Sequence, residues 1–462
     1  MRLDRLAWCL ALCGCFVPAA LLAQGYQLNE IGTCAVARAQ AVVGVPCKDP
    51  SSIYWNPAAT VDLRGWSVYA GITAIAVGAD FTADTSGRVT HGNVPVSFPP
   101  ALFVNYASRD GRWAAGVGAY VPYGLSSQWP ADFAGRFESQ KASLFSLYMQ
   151  PNVAYRFAAN WSIGGGPVIG YSRVQLVQGL DLATQMTPVG VTFGQLGVPA
   201  ETQFARATLK GSATAFGFNV GIHGTVGDEW EVGARYLSKL DFKYNDATAT
   251  FAQTPTGLVL SAENPFGLPA NTPVDAILSP LFDPGATLSR QTASSELPNP
   301  AQFEVGVGYL GLVNTTVSAD FMLSQFSAFR VLPISFNGPA QAANQRRLED
   351  YNNSWTVRAG IEHAFAIGIK GRAGVSFVKS PVPDETVAPE LPDQNRMNYS
   401  LGAGVPLSPR YTLDLGYLRV QTSGRRGRVV GRTDESETAA ALNSGFYELS
   451  ANVFSLSVRA NF

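Results

Sequence analysis

Residues 453–462 read Val-Phe-Ser-Leu-Ser-Val-Arg-Ala-Asn-Phe. Phe454, Leu456, Val458, Ala460 and Phe462 share one parity; Ser455, Ser457, Arg459 and Asn461 share the other. A period of two puts these sets on opposite faces of a strand. The same alternation begins near Arg64 and recurs to the end of the chain. It predicts strands near 64–79, 101–107, 112–126, 142–157, 160–175, 211–226, 229–243, 302–310, 314–326, 355–365, 368–379, 397–406, 409–421 and 449–462. Phe145, Leu147, Met149, Val153, Tyr155 and Phe157 oppose Ser146, Tyr148, Gln150, Asn152 and Arg156. Trp355, Val357, Ala359, Ile361 and Phe365 oppose Thr356, Arg358, Gly360 and Glu362. Aromatic residues close the apolar face at both ends of several strands, as girdles at a membrane interface would.

The connections alternate in length. Short ones fall near 108–111, 158–160, 227–229, 311–313, 367 and 406–409, with long ones near 80–100, 127–141, 176–210, 244–301, 327–354, 380–396 and 422–448. Tight turns at one rim and long loops at the other are the outer-membrane pattern, whereas a β-sandwich has no reason to sort its loops this way. The fold class that follows is all-β: a transmembrane antiparallel β-barrel of about 14 strands, apolar toward lipid and polar toward the lumen. The loops 176–210 and 244–301 are rich in Leu, Val and Phe, so they should pack on each other or cover something apolar.

Composition agrees with a barrel. The chain has 462 residues, of which 15% are charged, 46 are Gly and 29 are Pro. Apolar residues are spread by alternation, and after residue 23 no run reaches the ~18 residues of a spanning helix. The net charge of −1 points to no nucleic-acid partner. Arg2 and Arg5, the apolar stretch Leu6–Leu22 and the Leu-Leu-Ala ending at Ala23 resemble a secretory signal peptide, expected to span 1–23. Its removal leaves Cys34 and Cys47, thirteen positions apart, as either one disulfide or two thiols. Residues 24–60 do not alternate and end in Ile53-Tyr54-Trp55-Asn56-Pro57-Ala58-Ala59; they read as a compact N-terminal unit ahead of a barrel spanning 61–462.

Candidate chemistry is sparse. His91 falls in a loop, His223 on the lumen face and His363 on the apolar face, with no Ser/His pairing and no His/Cys cluster. No enzyme, metal site or cofactor is expected. Arg156, Arg173, Arg358, Glu362, Lys370, Arg372 and Asp414 are expected to point inward and pair with one another, with Arg173 or Lys370 as candidates to meet a substrate carboxylate. Pro122 lacks the N–H a closed ladder needs, and Gly124 permits a bulge, so Pro122-Tyr123-Gly124 predicts a breach in the wall; the alternative is a strand that has ended, with Pro122 in a loop.

These residues resemble the FadL family, the long-chain fatty acid and aromatic-hydrocarbon transporters of Gram-negative outer membranes. Gly25-Tyr26-Gln27-Leu28-Asn29-Glu30 is similar to the family's mature N-terminus, and Asn56-Pro57-Ala58 to its hatch motif. Tyr123-Gly124-Leu125 falls where the family's third strand kinks, and Ser380-Pro381-Val382-Pro383 with Pro392-Asp393-Gln394-Asn395-Arg396 is similar to its sixth extracellular loop. The resemblance implies a hatch in the lumen and passive, gated uptake of a hydrophobic molecule. It implies a pocket at Gln24–Glu30 and sideways exit at Pro122–Gly124. Two departures stand out. Gln178 occupies the position where fatty-acid members carry an inward cation, with Arg173 five residues earlier, and the Cys34/Cys47 pair lies outside the family pattern. The expected partners are a hydrophobic small molecule, lipopolysaccharide and other outer-membrane lipids, and the barrel assembly machinery during folding; a monomer is expected. The competing readings are an open porin for polar solutes, an outer-membrane lipase and a surface adhesin.

Overall fold

The structure, a computed structural model, describes residues 25–84, 86–187, 190–264, 266–427 and 444–462. The signal-like stretch 1–23, Gln24 and residues 428–443 of the last long loop lie outside the described residues.

Fourteen antiparallel strands form a closed ring. In chain order they are β1 Gly65–Ala83, β2 Pro100–Ala107, β3 Trp113–Gln128, β4 Lys141–Ala158, β5 Trp161–Asp181 and β6 Gln203–Val226. Next come β7 in two pieces, Trp230–Leu237 and Leu240–Gln253, and β8 in two pieces, Gln291–Asn299 and Gln302–Leu312. The ring continues through β9 Thr315–Ser324, β10 Ser354–Ala364, β11 Lys370–Val378, β12 Arg396–Pro406, β13 Tyr411–Thr422 and β14 Gly445–Asn461. It closes where β14 returns to β1, from Ser67 opposite Asn461 to Ala83 opposite Gly445. Closure matters because lipid offers no hydrogen bonds; a ring leaves no edge of unpaired N–H and C=O groups.

Alternation decides which way each side chain points. On β14, Phe454 and Leu456 are 56% and 45% exposed to the lipid side, whereas Ser455 and Ser457 are buried. Val153 and Tyr155 on β4, Ile361 on β10 and Leu415 on β13 face outward in the same way.

Several strands run further than the alternation predicts. β5 reaches Asp181, β6 starts at Gln203, β7 reaches Gln253 and β8 starts at Gln291. In these upper stretches the outward residues include Gln175, Arg206, Lys210 and Thr250. A ladder that has left the bilayer needs no apolar outer face, so its alternation fades although its hydrogen bonds continue. The two apolar loops pack on each other: Leu182, Phe193 and Phe204 meet Val274 and Leu278, the last two on a short helix, Val274–Leu278.

Residues 25–63 fill the lumen. They hold two short helices, α1 Thr33–Ala37 and α2 Ser52–Trp55, and a 3-10 turn, Pro57–Asp62. Almost every residue here is buried, against strands from all sides of the ring. Cys34 and Cys47 are joined by a disulfide.

Candidate functional site

Asn56 ties the inner segment to the wall. Its Oδ1 accepts the Ala58 N–H at 3.3 Å, capping the 3-10 turn, and Pro57 at the first position costs no hydrogen bond there. Its Nδ2 donates to the carbonyls of Val43 (3.0 Å) and Ile222 (3.1 Å), so one side chain joins two parts of the inner segment to strand β6.

The inner backbone also comes unusually near the wall. A Cβ on Gly44 would lie 2.3 Å from the Val307 nitrogen, and one on Gly374 would lie 2.4 Å from the Arg38 carbonyl carbon. Only glycine tolerates those approaches. Asp320 of β9 accepts the N–H groups of Val43 (2.7 Å) and Gly44 (3.3 Å). Arg38 donates to the carbonyls of Ala41 (2.7 Å) and Val45 (2.8 Å) and to the Ser318 hydroxyl. Below α2, Glu304 of β8 sits between Arg235 of β7 (3.0 Å) and Arg358 of β10, and the Arg235 guanidinium lies 4.4 Å from the Tyr54 ring. Such buried charges persist only when paired.

The wall is interrupted beside β3. β2 pairs with β3 only from Ala107 opposite Ala114 to Leu102 opposite Ala119. Above Ala119 that flank has no partner strand of the ring; near its end the Asn93 N–H donates to the Gln128 carbonyl at 2.8 Å. On the other flank the β3–β4 register slips between Tyr120 and Tyr123. Tyr120, Val121, Pro122 and Tyr123 are all buried in succession, so the strand bends into the lumen. Pro122 is inside β3, not in a loop.

The bend meets the N-terminal residues. The Leu28 N–H donates to the Pro122 carbonyl at 2.9 Å and the Gly124 N–H to the Tyr26 carbonyl at 3.0 Å, with Gln27 opposite Tyr123. Tyr26–Leu28 thus adds a short antiparallel strand to the flank that β2 leaves open. A Cβ on Gly124 would fall 2.7 Å from the Leu28 side chain. Farther along, Gln27 accepts the Ser324 hydroxyl (2.8 Å), and Glu30 accepts the Asn29 N–H (3.0 Å). At the start, the Gly25 N–H donates to Asp393 at 2.6 Å. Burial pushes the Asp393 carboxyl above its usual range, a rise that Arg396 partly opposes.

Over Tyr26 lies an apolar cavity lined by Leu125, Leu144, Leu176, Leu297, Phe329 and Tyr351, among others. Its free volume is about 70 Å³. Ligand pockets usually hold roughly 300–1,000 Å³, so the cavity is closed down in this state.

The candidate inward charges mostly pair as expected. Lys370 and Arg372 hold Glu362 at 2.6 Å and 2.7 Å, Arg372 holds Asp414 at 2.5 Å, and Arg156 pairs with Asp62. Arg173 does not belong with them. It points outward, and its Nε donates to the Tyr171 hydroxyl at 2.9 Å, while the neighbouring Ser172 is buried. Above the lipid band a charge no longer marks the lumen face. Gln178 occupies its own place, its amide donating to the Phe137 carbonyl. The His223 ring nitrogens lie 3.8 Å from the Asp62 and Glu231 carboxylates, and the Ser162 hydroxyl reaches the His223 carbonyl instead of the ring. The Gly25–Asp393 contact and the Asp320 and Arg38 anchors escape sequence reasoning. Asp393 does lie in the quoted loop motif, but nothing local says that it reaches residue 25.

A closed barrel with an apolar girdle, filled from within and broken in its wall beside β3, defines an outer-membrane transport barrel. The chain belongs to the outer membrane protein transport protein family (OMPP1/FadL/TodX), whose model matches residues 14–462. Its place is the outer membrane of a Gram-negative cell. It is similar to the long-chain fatty acid transport protein of Escherichia coli O6:H1, at 24% identity over 431 residues and 90% of each chain. It is also similar to outer membrane protein P1 of Haemophilus influenzae, at 23% identity, covering 86% of this chain and 85% of that one. Among solved structures, a Pseudomonas aeruginosa FadL homologue superposes with a TM-score of 0.78 at 21% identity, covering 95% of this chain and 100% of that one. The Pseudomonas putida toluene transporter TodX superposes at 0.65 and 14%, with the same coverage.

Proposed function

We propose that this chain takes up hydrophobic molecules by passive, gated transfer, with residues 25–63 as the hatch and the gap beside β3 as a sideways exit. The observation that carries the reading is the pairing of Tyr26–Leu28 with Pro122–Gly124. The segment beneath the cavity is held to the broken wall by two backbone hydrogen bonds, so moving it would enlarge the cavity and uncover the gap together. Each such bond is worth about 1 kcal/mol net, within reach of what cargo binding supplies.

The cargo classes are those in the names of the relatives, long-chain fatty acids and aromatic hydrocarbons. Burial of each CH₂ favours an apolar site over water by ~0.8 kcal/mol, so a long acyl chain gains on the order of 10 kcal/mol in such a cavity. A gap that opens toward lipid releases that cargo without returning it to water, and needs no ATP or proton coupling.

The test is uptake of a radiolabelled alkylbenzene and of a radiolabelled long-chain fatty acid into cells that depend on this protein. Gly124→Val crowds Leu28 and should slow both without reducing the amount of folded barrel. Unchanged uptake would remove the exit from this place. Large steady open-channel currents in a planar bilayer would favour an open porin instead.

A further inference from the structure

The outer wall of β4, β5 and β6 carries a cation cluster that transport does not use. Arg173 on β5 and Lys210 and Arg206 on β6 are exposed on the outward face, and Lys141 on β4 is half-exposed beside them. The register fixes their spacing. One row across the three strands is Phe145, Arg173, Ser212; the next is Ser143, Gln175, Lys210; the next is Lys141, Val177, Thr208. Arg206 stands one row higher, opposite Gly179. With strands ~4.8 Å apart and ~6.8 Å for every two residues, the Arg173 and Lys210 backbones are about 8 Å apart and the patch is about 20 Å tall.

These cations lack the partners that others find. On the same side of the molecule Arg88 pairs with Asp132, Arg330 with Asp350, Arg425 with Asp384 and Arg426 with Asp84. Among the described residues none of the four cluster cations is in an ion pair; Arg173 contacts only the Tyr171 hydroxyl and ring. By register the near carboxylates are Asp246 of β7, two positions from Thr248 opposite Lys210, and Asp181 of β5, two positions from Gly179 opposite Arg206; Asp181 is buried and accepts the Ala183 and Glu201 N–H groups.

Height identifies what they face. From the row of Arg173 downward the same wall is apolar: Phe145, beside Arg173, and Met149 on β4, Ile169 on β5, Phe216 and Phe218 on β6. From Tyr155 up to Phe145, a strand tilted by ~40° climbs about 25 Å, the height of a barrel's apolar band. The short turns lie at the lower end, so the cations stand among the head groups of the outer leaflet. Ser143, Gln175, Thr208 and Ser212 fill most places between them, with Val177 the apolar exception.

We propose that this face binds lipopolysaccharide, with its phosphates on Arg173, Lys210 and the neighbouring cations and its acyl chains against Phe145, Ile169 and Phe216. A planar guanidinium and a flexible ammonium at this spacing suit phosphate oxygens, and water exclusion at the membrane edge strengthens each pair.

The experiment uses the full chain in detergent and follows its thermal unfolding on titration with hexa-acylated lipid A, either bisphosphorylated or dephosphorylated, or with inorganic phosphate. Bisphosphorylated lipid A should raise the midpoint, and the other two should not. The double variant Arg173→Gln/Lys210→Gln should bind it about 25-fold more weakly, at about five-fold per cation; both side chains are exposed, so folding is spared. Arg88→Gln, on the same side but paired with Asp132, should bind as the parent does. Equal shifts from the dephosphorylated lipid, parental affinity in the double variant, or a full shift from phosphate alone would each overturn the assignment.

Discussion

Asn56→Asp separates two jobs that one side chain performs. As a cap for the turn Pro57–Asp62, aspartate serves about as well as asparagine, so a pure capping role predicts a change of a few tenths of a kcal/mol. As a bridge, Asn56 donates from Nδ2 to the Val43 carbonyl at 3.0 Å and the Ile222 carbonyl at 3.1 Å. Aspartate would aim a carboxylate oxygen at both carbonyls in a fully buried place. Two lost donors leave two acceptors poorly satisfied at roughly 1–3 kcal/mol each, and the buried charge adds to that. We expect at least about 3 kcal/mol, spent on the hatch and not on the strand ladder, which would raise the fraction of hatch detached from the wall by about 150-fold. Asn56→Ala should cost somewhat less, because it loses the cap and the donors but introduces no charge. Arg38 reports the outcome, since it is buried in the hatch and trypsin reaches it only when the hatch opens. Cleavage at Arg38 and intermittent conductance should both rise in the order parent, Ala, Asp. If Asn56→Asp resists trypsin as the parent does, the bridge carries no energy and the reasoning fails.

Two further perturbations probe the hatch. Asp393, buried and accepting from Gly25 and from the Ser380 hydroxyl, has a folded pKa above its unfolded value. For a raised acid, the stabilising contribution is present below about pH 4 and is lost as pH rises through the folded pKa. The amides of Gly25 and Tyr26 should therefore be better protected from hydrogen exchange at acidic than at neutral pH, after correction for intrinsic rates. Asp393→Asn should flatten that difference, and equal slopes in both proteins would contradict it. Removing the Cys34–Cys47 bond by Cys34→Ser/Cys47→Ser reopens a loop of about 15 residues, a loss of about 3 kcal/mol in the chain-entropy picture. Heat capacity traces should show the barrel transition unmoved and a weaker, earlier hatch signal; a shifted barrel transition would mean that the two fold as one unit.

Much of the architecture is legible in the chain because lipid is an exacting solvent. It forces an apolar residue at every second position across the bilayer, and Phe454, Leu456 and Val458 on β14 obey it. The rule lapses where the strands leave the membrane, so the upper ends of β5, β6, β7 and β8 resemble loops. Arg173 is misread for the same reason: inside the bilayer a charge marks the lumen, and above it both faces are wet. The hatch motif is legible only as a resemblance, because Asn56 carries no periodic signal. The breach at Pro122 rests on a physical reason, since a residue without an N–H leaves its rung of the ladder without a donor and Gly124 beside it permits a bend.

By itself the sequence determined a closed barrel in the outer membrane. Alternation gives each strand its two faces, alternating loop lengths give antiparallel neighbours, and a bilayer admits no open sheet edge. Only the tertiary structure decided that Tyr26–Leu28 lies along Pro122–Gly124, that Asn56 reaches Val43 and Ile222, and that Gly25 meets Asp393. Local preference fixes how a residue is turned within its own strand. Which distant residues become neighbours depends on the curvature and register of the whole ring, and those are set jointly by every pair of strands in it.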